Sequence, residues 1–385
     1  MKVGIVTYWR GSNNYGMYIQ HWALQRSLLI MGHSPFLIRT YVGFNTFFAK
    51  RFLKEYNISG IIRALFSAVI LNMAPIKRLF YDSKRRLQRF QKEHIIVSSH
   101  KYYSLKELQI APPSADAYIV GSDQVWSGLL SDQENEIYYL NFGDRETRRI
   151  SYAPSFSMIE YPELLQQKLK ECLGRFDYLS CRESTGVEIC KHLVNKNVET
   201  VLDPTFLVSK TDYLQLMGQA KPKLDNGVFI YSLNIHSSSD LLWNDLKKIV
   251  DEKDVIVTFA NGYLPGDKLF GTGVLYSHAT MPEWLSNIYY SRMVITPSFH
   301  GIALSIILER DFVYVPLKEP YSSGNSRVLE LLDSLDLNNR VLSKEHPYSV
   351  LFSNKIDWDK VRGRLTQMID SSRSFLSRSL LEDKL

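Results

Sequence analysis

Residues 294–308 read VITPSFHGIALSIIL. Residues 293–296 are apolar or β-branched and read as a buried strand, which Pro297 and Ser298 break. From Gly301 onward, Ile302, Leu304, Ile306, Ile307 and Leu308 leave little polar face and predict a buried helix. A strand, a tight turn and a buried helix form the repeating unit of an open α/β sheet. In such a sheet the turn lies at the carboxyl end of the strand, where ligands bind, and the helix start offers unpaired N–H groups to an anion. His300 stands in that turn. There a histidine either serves an anion or a proton near neutral pH, or simply caps the turn, and the stretch alone is compatible with both.

The chain on either side repeats this unit. Residues 228–233 and 255–259 read as strands with a helix over 240–250 between them; a helix over 281–290 precedes the opening stretch, and a strand over 312–315 follows it. The polar run Ser322, Gly324, Asn325, Ser326, Arg327 leads into a helix over 328–335, which makes Arg327 a further candidate for an anion. Toward the amino terminus, strands are expected over 3–7, 35–41, 117–120, 149–153 and 179–182, with a helix over 17–31 closed by Gly32. The loop carrying Asn13, Asn14, Tyr15 and Gly16 follows the first strand, but lacks the spaced glycines of a dinucleotide site. Asn14 and Gly16 equally make a simple turn. After the strand over 117–120 come Asp123, Gln124 and Trp126: a carboxylate, an amide and an indole that suit sugar hydroxyls, or else a helix cap and a core residue. Arg182, at the end of another strand, either binds a phosphate or carboxylate in bidentate fashion or pairs with Glu183.

At 385 residues the chain exceeds one ordinary core. Two doubly wound, Rossmann-like α/β domains facing a cleft are expected: residues 1–208, a linker over 209–227, residues 228–345, and a helical segment over 346–385 packing back across both. With 45% hydrophobic and 22% charged residues the chain is globular. The net charge of +6 is partly local, since residues 77–92 hold Lys77, Arg78, Lys84, Arg85, Arg86, Arg89 and Lys92, a run that reads first as a solvated face. The apolar residues 58–74 before it are too few to span a bilayer, but together the two segments would allow peripheral contact with a membrane surface. The basic residues lack the interleaved aromatics of a nucleic-acid groove, so no nucleic-acid partner is expected. Cys172, Cys181 and Cys190 have no metal-ligand spacing and read as reduced thiols of a cytoplasmic protein, and the amino terminus lacks a signal-peptide layout. No metal and no resident cofactor is expected.

Taken together, Asn14-Tyr15-Gly16 with Leu24 and Gln25, DAYIVGSDQVW (116–126), ISYAPSF (150–156), SCRESTG (180–186), VLDPTF (201–206) and SFHG (298–301) resemble the polysaccharide pyruvyl transferase family, in order and spacing over nearly the whole chain. The resemblance implies a two-domain fold like that of B-type glycosyltransferases. It also implies transfer of the enolpyruvyl unit of phosphoenolpyruvate, as co-substrate, to a sugar of a cell-surface or capsular polysaccharide precursor, forming a cyclic ketal and releasing phosphate. A lipid-linked acceptor fits this scheme. By motif position His300 is the family's donor-binding histidine and Arg182 the arginine from the first domain. The donor side is then Arg182, Ser298, His300, Gly301 and Arg327. The acceptor side is Asn14, Tyr15, Asp123, Gln124 and Trp126, with Asp123 as the base. One departure stands out: many relatives carry an arginine two residues before the histidine, where this chain has Ser298. Arg327 is the expected replacement, with Arg292 as the other choice. Two further functions stay open: a B-type glycosyltransferase using a nucleotide sugar, and a non-catalytic member of a surface-polysaccharide assembly system.

Overall fold

Short runs such as KVGIV and AYIV are nearly continuously apolar, as strands buried on both faces of a parallel sheet must be. The computed structural model, which describes residues 1–9, 14–41, 83–260, 268–319 and 321–381, assembles them into two such sheets. The first comprises β1 (Lys2–Val6), β2 (Ser34–Thr40), β3 (Val97–Tyr102), β4 (Ala117–Val120) and β5 (Arg148–Ser151), ordered β3-β2-β1-β4-β5 and parallel throughout. A ribbon of β6 (Leu179–Cys181) and β7 (Val198–Thr200) continues it through a bridge between Ile150 and Tyr178. The second sheet contains β8 (Val228–Ser232), β9 (Val255–Phe259), β10 (Leu275–Tyr276), β11 (Met293–Thr296) and β12 (Phe312–Tyr314), ordered β10-β9-β8-β11-β12 and again parallel.

In both sheets the winding reverses beside the first strand, between β1 and β4 and between β8 and β11. A crevice opens at such a switch point, outside the carboxyl ends of the strands. Here Asn14, ahead of α1, and Asp123 and Gln124, after β4, line one pocket with Leu233 and Asn234, after β8, and Pro297 and Ser298, after β11. This helix, α1 (Tyr15–Ile30), starts at the seam. Asn14 caps it by accepting the Gly16 N–H at 2.9 Å, and accepts the Tyr231 hydroxyl from the second sheet at 3.0 Å. Tyr15 crosses the seam too, with its hydroxyl donating to the Ala279 carbonyl at 2.5 Å and its ring stacked on Trp284.

Several local expectations are corrected. The helix of the opening stretch, α2 (Phe299–Ile307), begins two residues before Gly301, because Ser298 caps it by accepting the Gly301 N–H at 3.3 Å. The helix expected over 240–250 is broken by Leu242 in the left-handed region, leaving a 3-10 turn (Ser238–Leu241) and a short helix (Trp243–Leu246). Residues 209–227 include the helix Lys210–Met217, which is docked: the Tyr213 hydroxyl donates to the Thr205 carbonyl at 2.8 Å and Asp212 pairs with Arg26. The final helix (Trp358–Leu381) runs from an Arg362–Glu309 pair beside the second sheet to an Arg378–Glu199 pair beside the first.

The apolar segment 58–74 and residues 77–82 lie outside the described residues. Within the basic run Arg85 is not on a solvated face: it is buried, donating to the Ala260 carbonyl at 2.6 Å and to the Tyr15 hydroxyl at 3.2 Å. Among the described residues no helix is long and apolar enough to cross a membrane. The three cysteines are free and buried.

Candidate functional site

The site is built from the turn outward. β11 ends at Thr296, whose hydroxyl donates to the Tyr231 carbonyl (2.7 Å) and accepts the Ser298 N–H (3.0 Å), so the turn is pinned to β8. His300 therefore sits in the first turn of α2, where N–H groups lack intrahelical acceptors. Its ring is held between two elements of the first domain. Nε2 is 3.7 Å from Asp203 Oδ2, an ion-pair distance when the imidazole is protonated. On the other side is Gly16, where an added Cβ would stand 2.3 Å from His300 Nδ1, so only glycine lets α1 approach.

Asp203 anchors the cluster. Fully buried, it accepts Ser122 Oγ (2.5 Å) and Arg182 Nη1 (3.1 Å) on Oδ2, and the Thr205 N–H (3.1 Å) and hydroxyl (2.8 Å) on Oδ1. Burial alone would raise its pKa, but His300, Arg182 and the Ser122 hydroxyl outweigh that and hold the carboxyl well below the usual carboxylate range. Arg182 also reaches Asp123 Oδ1 and Glu183 Oε2, each at 3.8 Å, and its guanidinium lies over the Phe299 ring at 4.6 Å. Arg327, at the start of the helix α3 (Ser326–Ser334), approaches Asp123 Oδ1 at 3.9 Å. Burial, together with repulsion from Arg182, lowers its pKa to about 10.

Two cavities meet at this cluster. A cleft pocket of about 290 Å³ is lined by Asn14, Asp123, Gln124, Ser298, His300 and Arg327 among others. A second cavity of about 320 Å³ lies behind it, with Arg182, Asp203 and Glu330 in its wall. Phe299 and Arg327 line both.

Comparison with known proteins places this arrangement. The family model for polysaccharide pyruvyl transferase matches residues 14–318, from the Asn14 cap through the His300 turn to Lys318. The chain belongs to the polysaccharide pyruvyl transferase family. A search of curated protein sequences gave no match. Among solved structures, a putative UDP-N-acetylglucosamine 2-epimerase from Listeria monocytogenes superposes with a TM-score of 0.50 at 9% identity, over 100% of this chain and 97% of that one. The UDP-GlcNAc 2-epimerase from Neisseria meningitidis, solved with UDP-GlcNAc, gives 0.46 at 9% identity over 100% of both chains. The enzyme from Methanocaldococcus jannaschii gives 0.47 at 9% over 100% of both. At these identities the first likeness is one of fold, and it accords with the B-type, two-domain architecture.

In this pyruvyl transferase family member the residues singled out in the sequence fall into three groups. His300, Asp123, Gln124, Asn14, Ser298 and Arg327 line the cleft pocket together. Arg182 touches the same cluster but opens onto the rear cavity. Tyr15, Trp126 and Gly301 do not line the cleft. Tyr15 is fully buried in the domain seam. Trp126 is also fully buried, stacked on Tyr139 with its Nε1–H donating to the Tyr138 carbonyl (2.8 Å), so it offers no face to a sugar. The Gly301 N–H is taken by the Ser298 cap, and its Cα packs where a Cβ would meet Thr296 Cγ2 at 2.8 Å. Arg292 stands at the amino end of β11, opposite the turn, 4.0 Å from Asp254. Arg327, not Arg292, is thus the arginine near Ser298. Asp203, Phe299 and Glu183 were missed as site residues. The Asp203-Pro204 pair was the available signal, since an acid before proline reads as a cap, and Asp203 also caps its 3-10 turn.

Proposed function

We propose that this protein transfers pyruvate from phosphoenolpyruvate to two neighbouring hydroxyls of a sugar, as a ketal, with release of phosphate. The observation that carries this reading is the meeting of His300 and Arg327 in one cleft pocket at two facing switch points, with Asp123 beside them and Arg182 reaching Asp123 from the adjoining cavity. Ser298, His300 and Arg327 in the lining of the cleft pocket, with the first turn of α2, suit a compact anion.

The reaction balances without an added proton. One sugar O–H breaks as its oxygen bonds to the enol carbon, and a proton ends on the methylene, making the methyl group. The second hydroxyl then replaces the phosphate, and its proton leaves with it. The site must therefore hold a multiply charged anion and move two protons. In this reading Arg182 and Arg327 hold the donor's charge, assisted by the Ser298 hydroxyl and the α2 N-terminus. His300, steadied by Asp203, passes the proton to the methylene. Asp123 takes a hydroxyl proton, while Asn14 and Gln124 orient the sugar. The acceptor is a sugar whose two hydroxyls can close a ketal ring, free or lipid-linked.

The test is incubation of the purified protein with phosphoenolpyruvate and a panel of diol-bearing sugars and lipid-linked sugars. Phosphate release that depends on the sugar, with a product heavier by one pyruvate ketal, is the expected result. Sugar transfer from a nucleotide sugar without phosphoenolpyruvate consumption would overturn the reading.

A further inference from the structure

The two guanidiniums at the centre of the site already hold an anion, and it belongs to the protein. Asp123 Oδ1 lies between them, 3.8 Å from Arg182 Nη2 and 3.9 Å from Arg327 Nη1. These are ion-pair distances, but they are too long for hydrogen bonds. By contrast, Arg26 donates to Asp212 Oδ1 at 3.0 and 2.8 Å elsewhere in the same protein. Arg182 Nε and Nη2 and Arg327 Nε are buried with no hydrogen-bond partner among the described residues. Asp123 thus occupies a seat that it does not fill. Its backbone is in the left-handed region, φ 76°, which glycine, asparagine and aspartate adopt more readily than other residues.

Charge counting adds the second argument. Around Arg182 and Arg327 stand three carboxylates, Asp123, Asp203 and Glu183, so the cluster carries no spare positive charge while His300 is neutral. Asp203 is fully buried and accepts four hydrogen bonds, and Glu183 is buried with Oε1 accepting the Phe156 N–H. Of the three, Asp123 is the one that lines the cleft pocket. A multiply charged donor cannot approach the guanidiniums while that carboxylate stays between them.

We infer that Asp123 is a placeholder: its carboxylate stands in the anion seat between Arg182 and Arg327 until the donor's phosphate or carboxylate displaces it. The displacement frees Asp123 for the acceptor. An oxyanion can then make the short, charge-assisted bonds to the unused N–H groups that Asp123 does not reach. Donor binding thereby precedes, and prepares, acceptor activation. With Ser298 in the turn, displacing this carboxylate turns the unpaired N–H groups of Arg182 and Arg327 over to the incoming anion. The seat is defined by small-oxyanion chemistry, and only the donor's identity rests on the pyruvyl-transfer reading.

The test is titration calorimetry of inorganic phosphate, and separately of phosphoenolpyruvate, into wild type, Asp123→Asn and Asp123→Gly at fixed ionic strength. Both replacements tolerate a positive φ, and each fold is checked by circular dichroism, so either variant alone decides. Removing the competing charge is expected to tighten phosphate binding about tenfold or more while turnover is lost. Unchanged or weaker phosphate binding in a folded variant overturns the inference, as does absence of phosphate binding throughout. If phosphate tightens while phosphoenolpyruvate binds neither wild type nor variant, the placeholder stands and the pyruvyl-transfer reading falls.

Discussion

Gly16→Ala tests whether the seam between the domains sets the position of His300. The added Cβ would lie 2.3 Å from His300 Nδ1, 2.8 Å from Cγ and 3.1 Å from Cβ. Non-bonded contacts of this kind settle near 3.5 Å, so the imidazole must retreat by about 1 Å. It has little room, because the side chain is only 9% exposed and Asp203 and Phe299 stand beside it. Misplacing a reacting group by about 1 Å costs roughly a hundredfold in rate, or about 2.7 kcal/mol of activation free energy. The fold should suffer less. Overpacking costs about 1–3 kcal/mol, and alanine in place of glycine within α1 returns up to about 1 kcal/mol. The assay is kcat/KM for phosphoenolpyruvate-dependent phosphate release, with the thermal midpoint measured in parallel. A drop of about a hundredfold with a shift of a few degrees is expected. A variant that retains kcat/KM within about twofold refutes the claim that Gly16 sets the histidine.

Two further predictions concern stability. Asp203→Asn leaves Arg182 and His300 without their shared carboxylate and should destabilise by about 3–5 kcal/mol at neutral pH. Because the folded Asp203 pKa is depressed, its contribution is complete above the unfolded value, near pH 4, and is lost as pH falls toward the folded one. Urea unfolding should therefore show the wild-type advantage shrinking steadily below about pH 4, and a constant gap would count against the assignment. Trp126→Phe removes the bond to the Tyr138 carbonyl and should cost about 1 kcal/mol or more in urea unfolding. Acceptor KM should stay unchanged, and a raised KM would mean the indole meets the sugar after all.

How much could be read in the sequence depended on what each signal records. The opening stretch announced both the sheet and the site because β11 is buried on both faces, and its turn needs a proline and a cap at fixed positions. By contrast, β3, with the sequence VSSHKY, is an edge strand, and β7 and β10 are three and two residues long, so none carries an apolar run to detect. His300 and Arg327 were found because charge after a strand or at a helix start has a local signature. Trp126 and Tyr15 carry the same local signature as site residues, yet they face inward. Which side an aromatic takes depends on partners outside its own turn, Tyr139 thirteen residues on for one and Trp284 in the other domain for the other. Asp203 was missed for the complementary reason: locally it caps a 3-10 turn, and only the fold brings Arg182, His300 and Ser122 to it.

The most direct test of the central claim is thermal unfolding with phosphoenolpyruvate and, separately, with a panel of nucleotide sugars, on wild type and His300→Ala. A ligand present at about a hundred times its dissociation constant stabilises by roughly 2.7 kcal/mol, which is readily seen as a midpoint shift. Stabilisation of the wild type by phosphoenolpyruvate, absent with the nucleotide sugars and lost in His300→Ala, is the predicted result. Stabilisation by a nucleotide sugar alone would contradict the account.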